Sequence, residues 1–226
     1  MNNSAIQPRQ LLRDSFSYAK PFYVAMLAFF APNFIVALLL PEITSPSAKF
    51  LVFLINALCI VPFVTGAAIF YMHQNLTQRG ATLPDAMARA GEKFSQLVLL
   101  TSIVGVILVL GFILLIIPGI YLSVRLSFVF YAVMIENQSA FNAIQRSWQL
   151  TQGHWWLLFW SFFLIAIVLT IPVLILTLLT ASLDPAFGES TSAFLTFLIS
   201  PFLTTYYVLL FMSFVNLTSL QNSGSS

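Results

Sequence analysis

The chain has 226 residues, 59% of them apolar and only 7% charged, with a mean hydropathy of +0.94 and a formal net charge of +2. Soluble domains carry about a quarter charged residues, so a surface fully covered by water is excluded. Nine scattered Lys and Arg are too few for a nucleic-acid interface.

The apolar residues fall into blocks close to the ~20 residues that cross a ~30 Å hydrocarbon layer as helix. The N-terminal stretch 8–20 carries Arg9, Arg13 and Lys20, and places Leu12, Phe16 and Ala19 on one helical face. Block 21–40 follows. It is full length and runs into PEITSPSAK rather than a cleavage site, so it reads as a retained span. PEITSPSAK (41–49) reads as a short exposed turn, and block 50–72 as the second span. In 82–96, Thr82 followed three residues later by Asp85 has the form of a capping box, with Pro84 in the first turn and Leu83, Met87, Ala90 and Phe94 on one face.

Blocks 97–117 and 119–135 join into one 39-residue stretch. As a single helix this would be ~58 Å long, nearly twice the hydrocarbon thickness. Pro118-Gly119 is a strong turn signal and divides it into a tight hairpin. The stretch 138–153 places Phe141, Ile144, Trp148 and Thr151 on one face, mostly opposite Asn142, Gln145, Arg146, Gln149 and Gln152. Blocks 155–181 and 193–215 complete six spans, joined by SLDPAFGES (182–190), which reads as a second exposed turn. Residues 222–226 read as a flexible tail or a cloning scar.

The order is amphipathic helix, span, span, three times over, giving units 8–76, 82–137 and 138–217 of a single membrane domain, 1–221. PFVT (62–65) and PFLT (201–204) fall in the second spans of the first and third units, and Asn-x-Ser/Thr recurs at Asn75, Asn137 and Asn216. With six spans, Arg9, Arg13, Lys20, Arg79, Arg89, Lys93 and Arg146 lie on one side, and Lys49 alone on the other with Glu42, Asp184 and Glu189. The positive-inside rule then places both termini and the amphipathic helices in the cytoplasm, where the Asn-x-Ser/Thr sites are not glycosylated. Their expected role is local: Asn ends one helix and Ser or Thr caps the next. Trp148, Trp155 and Trp156 are expected to anchor at the boundary.

Arg125, inside the fourth block, is the leading candidate, as a snorkelling structural Arg, a contact to lipid phosphate or substrate, or a transport group. On a helix beginning outside, it is expected to reach back toward the outer headgroups. Glu136 ends that block and is expected to cap nearby donors or to pair with Arg146 or Arg89. His73 and His154 lack ligand spacing for a metal, and Cys59 reads as a small buried residue. Asn33, Asn56 and Thr204 are expected to hydrogen-bond between helices, and Pro32, Pro62, Pro172 and Pro201 to kink theirs. No paired carboxylates, Ser-His-Asp order, HExxH, GxSxG or phosphate loop occurs. No cofactor or metal is implied, and membrane lipid is the expected partner.

The stretch IIPGIYLSVRLSFVFYAVMIENQSAFNAIQRSWQLTQGHWWLLFW (116–160) resembles the bacterial membrane-domain family named after the region fused to some glycerophosphoryl diester phosphodiesterases. The matching residues are Pro118, Gly119, Arg125, Glu136, Arg146, Ser147, Trp148, Thr151 and Gly153. The resemblance implies an α-helical protein of the cytoplasmic membrane. It does not imply phosphodiesterase activity, which belongs to a separate metal-binding barrel that no part of this chain can form. The expected protein is non-enzymatic and engages lipid or scaffolds a partner; the alternative is a transporter or channel-like protein for an amphiphile or small solute, with Arg125 at its site.

Overall fold

The computed structural model describes residues 8–223, with side chains as far as Ser219; the expected tail lies mostly outside these. Twelve α-helices and no strand occur among the described residues. Six helices or helix runs are long and apolar enough to cross a membrane: Pro8–Leu39, Pro46–Leu76, Phe94–Leu114, Ile116–Met134, Trp155–Ala181 and Pro185–Ser219. The chain is a multi-pass membrane protein.

The first run is α1 (Pro8–Ala19), a single 3₁₀ turn at Lys20–Phe22, then α2 (Tyr23–Leu39). The expected separate helix over 8–20 is therefore almost continuous with the span. It packs on the last helix of the chain, Phe16 lying 4.7 Å from Phe202 between ring centroids. The second run is α3 (Pro46–Ile55), a π turn at Asn56–Ile60, and α4 (Val61–Leu76). The fifth is α10 (Trp155–Ile165), a π turn at Ala166–Thr170, and α11 (Ile171–Ala181). Each π turn ends one residue before Val61-Pro62 or Ile171-Pro172. A proline has no N–H and its ring clashes with the carbonyl four residues back, and the wider turn makes room for it. Pro32 and Pro201 instead sit inside uninterrupted helix, so the two copies of Pro-Phe-x-Thr differ locally.

Between these runs, α5 (Leu83–Glu92) opens with the expected capping box: Thr82 Oγ accepts from Asp85 N, and Asp85 Oδ2 accepts from Thr82 N at 2.9 Å. Hydrogen bonding from Thr82 holds the Asp85 carboxyl below the usual carboxylate range. α5 stops at Glu92 rather than continuing to residue 96, because Lys93 leaves helical geometry and Phe94 begins α6 (Phe94–Leu114).

The turn after α6 lies at Leu115, not at Pro118-Gly119. Leu115 is extended (φ −169°, ψ 154°), and α7 (Ile116–Arg125) starts directly after it. Proline is tolerated in a first helical turn, where its missing N–H is not needed, so the dipeptide falls just inside α7. Gly119 serves packing instead: a Cβ there would lie 2.4 Å from the Phe112 ring on α6.

SLDPAFGES is likewise mostly helix. Asp184 Oδ1 accepts from Ala186 N at 2.9 Å, Pro185 follows the cap, and α12 runs from Pro185 to Ser223, 39 residues. Asp, Pro and Ser mark helix starts as readily as turns. α12 continues through Asn216, so that Asn ends nothing; only Asn137 (φ 58°), followed by Ser139 as N-cap, behaves as expected. At Asn75 the side chain instead ties Tyr71 O to Ala81 O, and Thr77 is a C-cap.

α11 and α12 pack tightly at Gly188, where a Cβ would lie 2.5 Å from Ala181 Cβ and 2.8 Å from Ala181 Cα. Backbone cannot rotate away as a side chain can. Gly188→Ala is expected to push these helices apart and cost about 1–3 kcal/mol, measured by thermal unfolding in detergent and by a longer spin-label distance between residues 179 and 190.

Candidate functional site

The fourth apolar run is broken. α7 ends at Arg125, residues Leu126–Phe128 form a turn, and α8 (Val129–Met134) resumes. The side chains of α8 are nearly all buried. A helix interrupted in apolar surroundings leaves backbone groups without partners, which costs free energy unless something else binds them. α9 (Ala140–Thr151) does so. It folds back along α8, and Ser147, fully buried, donates from Oγ to Arg125 O at 2.7 Å while accepting from Phe128 N at 3.1 Å.

The face of α9 that meets the bundle is the one opposite most of the expected apolar face, Thr151 being common to both. Ala140, Ala143, Ser147, Leu150 and Thr151 are buried, whereas Phe141 is 65% exposed and Trp148 39%. Small residues let α9 approach α8 closely, and the two large rings face outward.

Arg125 is gripped at the same junction. Its Nε donates to Tyr121 Oη at 3.0 Å, and its Nη1 to Trp148 O and Thr151 Oγ1, each at 3.3 Å. Its Cζ lies 5.2 Å from the Tyr121 ring centroid and 5.0 Å from that of Trp148, within cation–π range. Trp148 O belongs to the last turn of α9, where carbonyls lack helical partners and the helix dipole is negative. Arg125 thus acts as a C-terminal cap supplied by another helix. Through Tyr121 it leans toward the start of α7, and through Trp148 O and Thr151 Oγ1 it ties that helix to α9. Among the described residues it has no carboxylate partner.

Trp155 extends the cluster, stacking on Tyr121 at 5.9 Å and donating from Nε1 to Tyr121 O at 3.4 Å. Trp156 is 67% exposed and Trp160 55%, so aromatic surface continues along α10. Gly153 (φ 77°) makes the left-handed turn between α9 and α10.

Glu136 and Arg146 form a bidentate pair at 2.7 and 2.8 Å, with side chains 18% and 29% exposed. The Glu136 hydrogen bond, with its charge, holds the Arg146 pKa above its ordinary value despite partial burial. Arg89 goes elsewhere, to Glu92 and to Asn137 Oδ1. Glu136→Ala is expected to cost about 1–3 kcal/mol, between the values for exposed and buried pairs. The Glu136→Arg, Arg146→Glu double variant should recover part of that loss in thermal unfolding.

Pro118 and Gly119, expected to turn the hairpin, lie in the first half of α7 and take no part in this junction. His154 packs edge-on to Phe214 at 5.6 Å, and no group of three His, Cys, Asp or Glu able to hold a metal occurs among the described residues. Tyr121 was not singled out in the sequence, although its position four residues before Arg125 is the helical spacing for contact.

Ser147, Trp148 and Thr151 lie around Arg125, and Arg146, next to Ser147 in α9, carries the pair with Glu136. A family model described as a domain of unknown function (DUF7847) matches residues 80–219, which contain all of these residues. The chain belongs to this family. Comparison with curated proteins and with solved structures returns no match. The family match begins just before α5 and ends near the end of α12, so α1 to α4 lie outside it.

Proposed function

We propose that this is a non-enzymatic protein of the bacterial cytoplasmic membrane that engages anionic lipid headgroups at the junction of α7, α9 and α10. Its termini and amphipathic helices face the cytoplasm, and its spans form three hairpin units. Basic residues gathered on one side of the spans support this orientation, and the resemblance of 116–160 supports the bacterial setting and the tie to phosphodiesterase membrane regions.

The observation that carries the lipid reading is the guanidinium of Arg125. It is held by neutral acceptors only, through Nε and Nη1, between Tyr121 and Trp148. Its full positive charge therefore stays available, and it is reachable, since Tyr121 is 38% and Trp148 39% exposed. An Arg fork with spare donors suits a phosphate. The exposed rings of Trp148, Trp156 and Trp160 suit the headgroup region beside it.

The test is lipid retention by the purified full chain in mixed phosphatidylglycerol and phosphatidylcholine bilayers, read by native mass spectrometry. Enrichment of phosphatidylglycerol that Arg125→Met removes is the expected result. Equal enrichment in the variant overturns the reading. A cavity of about 630 Å³ lies elsewhere, lined by α2, α11 and α12 and not by Arg125.

A further inference from the structure

That cavity is mostly apolar but gathers polar side chains from all three helices. α2 contributes Asn33, α11 contributes Thr177, and α12 contributes Glu189, Ser192 and Thr196. Its volume is within the ~300–1,000 Å³ usual for small-molecule sites.

One of its hydroxyls is left without a partner. Serine and threonine in apolar helices normally return their hydroxyl to a carbonyl of the preceding turn. Ser190, Thr191, Ser200, Thr204 and Thr205 all do so. Thr177 Oγ1 does not: it is buried and has no partner. The Phe197 carbonyl, one turn before Pro201 in α12, receives no N–H from that residue because proline has none. Phe197 also lines the cavity.

The remaining chemistry selects a cation. Glu189, on the cavity wall, has no ion pair among the described residues. It stands at the end of the bundle that also carries Glu42 and Asp184, against Lys49 alone. Phe30, Phe34 and Phe197 supply aromatic walls, with Phe34 and Phe197 stacked at 4.8 Å. A carboxylate, an unpaired hydroxyl and aromatic faces together fit an ammonium on a short apolar body. An anion would meet Glu189, and a bare metal ion would leave the aromatic walls unused.

We propose that the cavity between α2, α11 and α12 is a binding site for an organic ammonium group carrying an apolar chain, supplied by an aminolipid headgroup or by a free alkylamine. It is separate from the Arg125 junction and binds the opposite charge.

The experiment uses the full chain in nonionic detergent, with thermal unfolding followed against octylamine, octanol and octanoate. Octylamine is expected to stabilise saturably at a concentration about threefold below octanol, the effect of one largely exposed ion pair. Octanoate should have no saturable effect. Glu189→Gln, at an exposed position that leaves packing intact, should abolish the preference for the amine over octanol. Thr177→Val should weaken amine and alcohol alike. Equal stabilisation by all three compounds, or an undiminished preference in Glu189→Gln, overturns the proposal. Repeating the titration in phosphatidylethanolamine and in phosphatidylglycerol nanodiscs separates the sources. Competition by phosphatidylethanolamine assigns the site to the headgroup and its absence to a free amine, and either outcome accompanies the amine preference the proposal requires.

Discussion

Ser147→Ala is expected to be among the most destabilising conservative changes in the chain. The serine hydroxyl has one proton and accepts readily, and here both capacities are used on backbone, Arg125 O at 2.7 Å and Phe128 N at 3.1 Å. Alanine would fit the space but leave a buried N–H and a buried C=O unpaired. Each such group costs about 1–3 kcal/mol, so the loss is expected to be roughly 2–4 kcal/mol, although a serine-to-alanine change on an exposed helix face is nearly neutral. Equilibrium unfolding of the purified chain in detergent measures this. Hydrogen exchange should locate it, with faster exchange concentrated in 126–134. Ser147→Cys, which keeps a weak donor and acceptor, should fall between serine and alanine. A loss below about 0.5 kcal/mol for Ser147→Ala, the range of ordinary surface substitutions, would show that the break between α7 and α8 is satisfied in another way.

The elements legible in the sequence were those decided by local chemistry. Block length and apolar composition mark the runs that become the six apolar helices, and Thr82-x-x-Asp85 marks the start of α5 because the capping box involves only its own residues. Asn33 and Asn56 could be paired in outline, since an amide in an apolar helix seeks another polar group; the bond runs from Asn56 Nδ2 to Asn33 Oδ1 at 3.0 Å.

What failed depended on other helices. Pro118-Gly119 is a turn signal by composition, but glycine at 119 answers to Phe112 across the hairpin, and the reversal falls at Leu115, which has no turn signature. SLDPAFGES carries residues that serve turns and helix starts equally, and the cap at Asp184 decides for a start. The spacing marked the face of α9 that carries the large rings, but not the opposite face of small residues that meets α8. In a membrane bundle lipid is as apolar as the core, so small residues such as Ala143 and Ser147 take the contact while Phe141 faces out. The cavity was invisible because Asn33 on α2 comes from a distant part of the chain to meet Thr177 and Glu189 on the consecutive α11 and α12.

The partners of Arg125 are the most consequential of these, and its replacement is expected to show two separable effects. Arg125→Met removes the bonds to Tyr121 Oη, Trp148 O and Thr151 Oγ1 and the contacts with two aromatic faces. The methionine chain partly fills the volume, and Thr151 Oγ1 keeps its own bond to Ser147 O at 2.9 Å. Charged hydrogen bonds of this kind are worth about 1.5–3 kcal/mol each when buried, but the site is partly exposed and its acceptors regain some solvation. A stability loss of roughly 2–4 kcal/mol is therefore expected in equilibrium unfolding. Lysine keeps the charge but not the planar fork, so it cannot reach Tyr121, Trp148 and Thr151 together. Arg125→Lys should lose most of the same stability yet retain most of the preference for phosphatidylglycerol, which depends on charge. Thr151→Val should do the converse in milder form, weakening the junction while leaving the cation in place. If lysine and methionine lose the lipid preference equally, the guanidinium geometry and not its charge recognises the headgroup. If neither alters it, Arg125 serves only to tie α7 to α9.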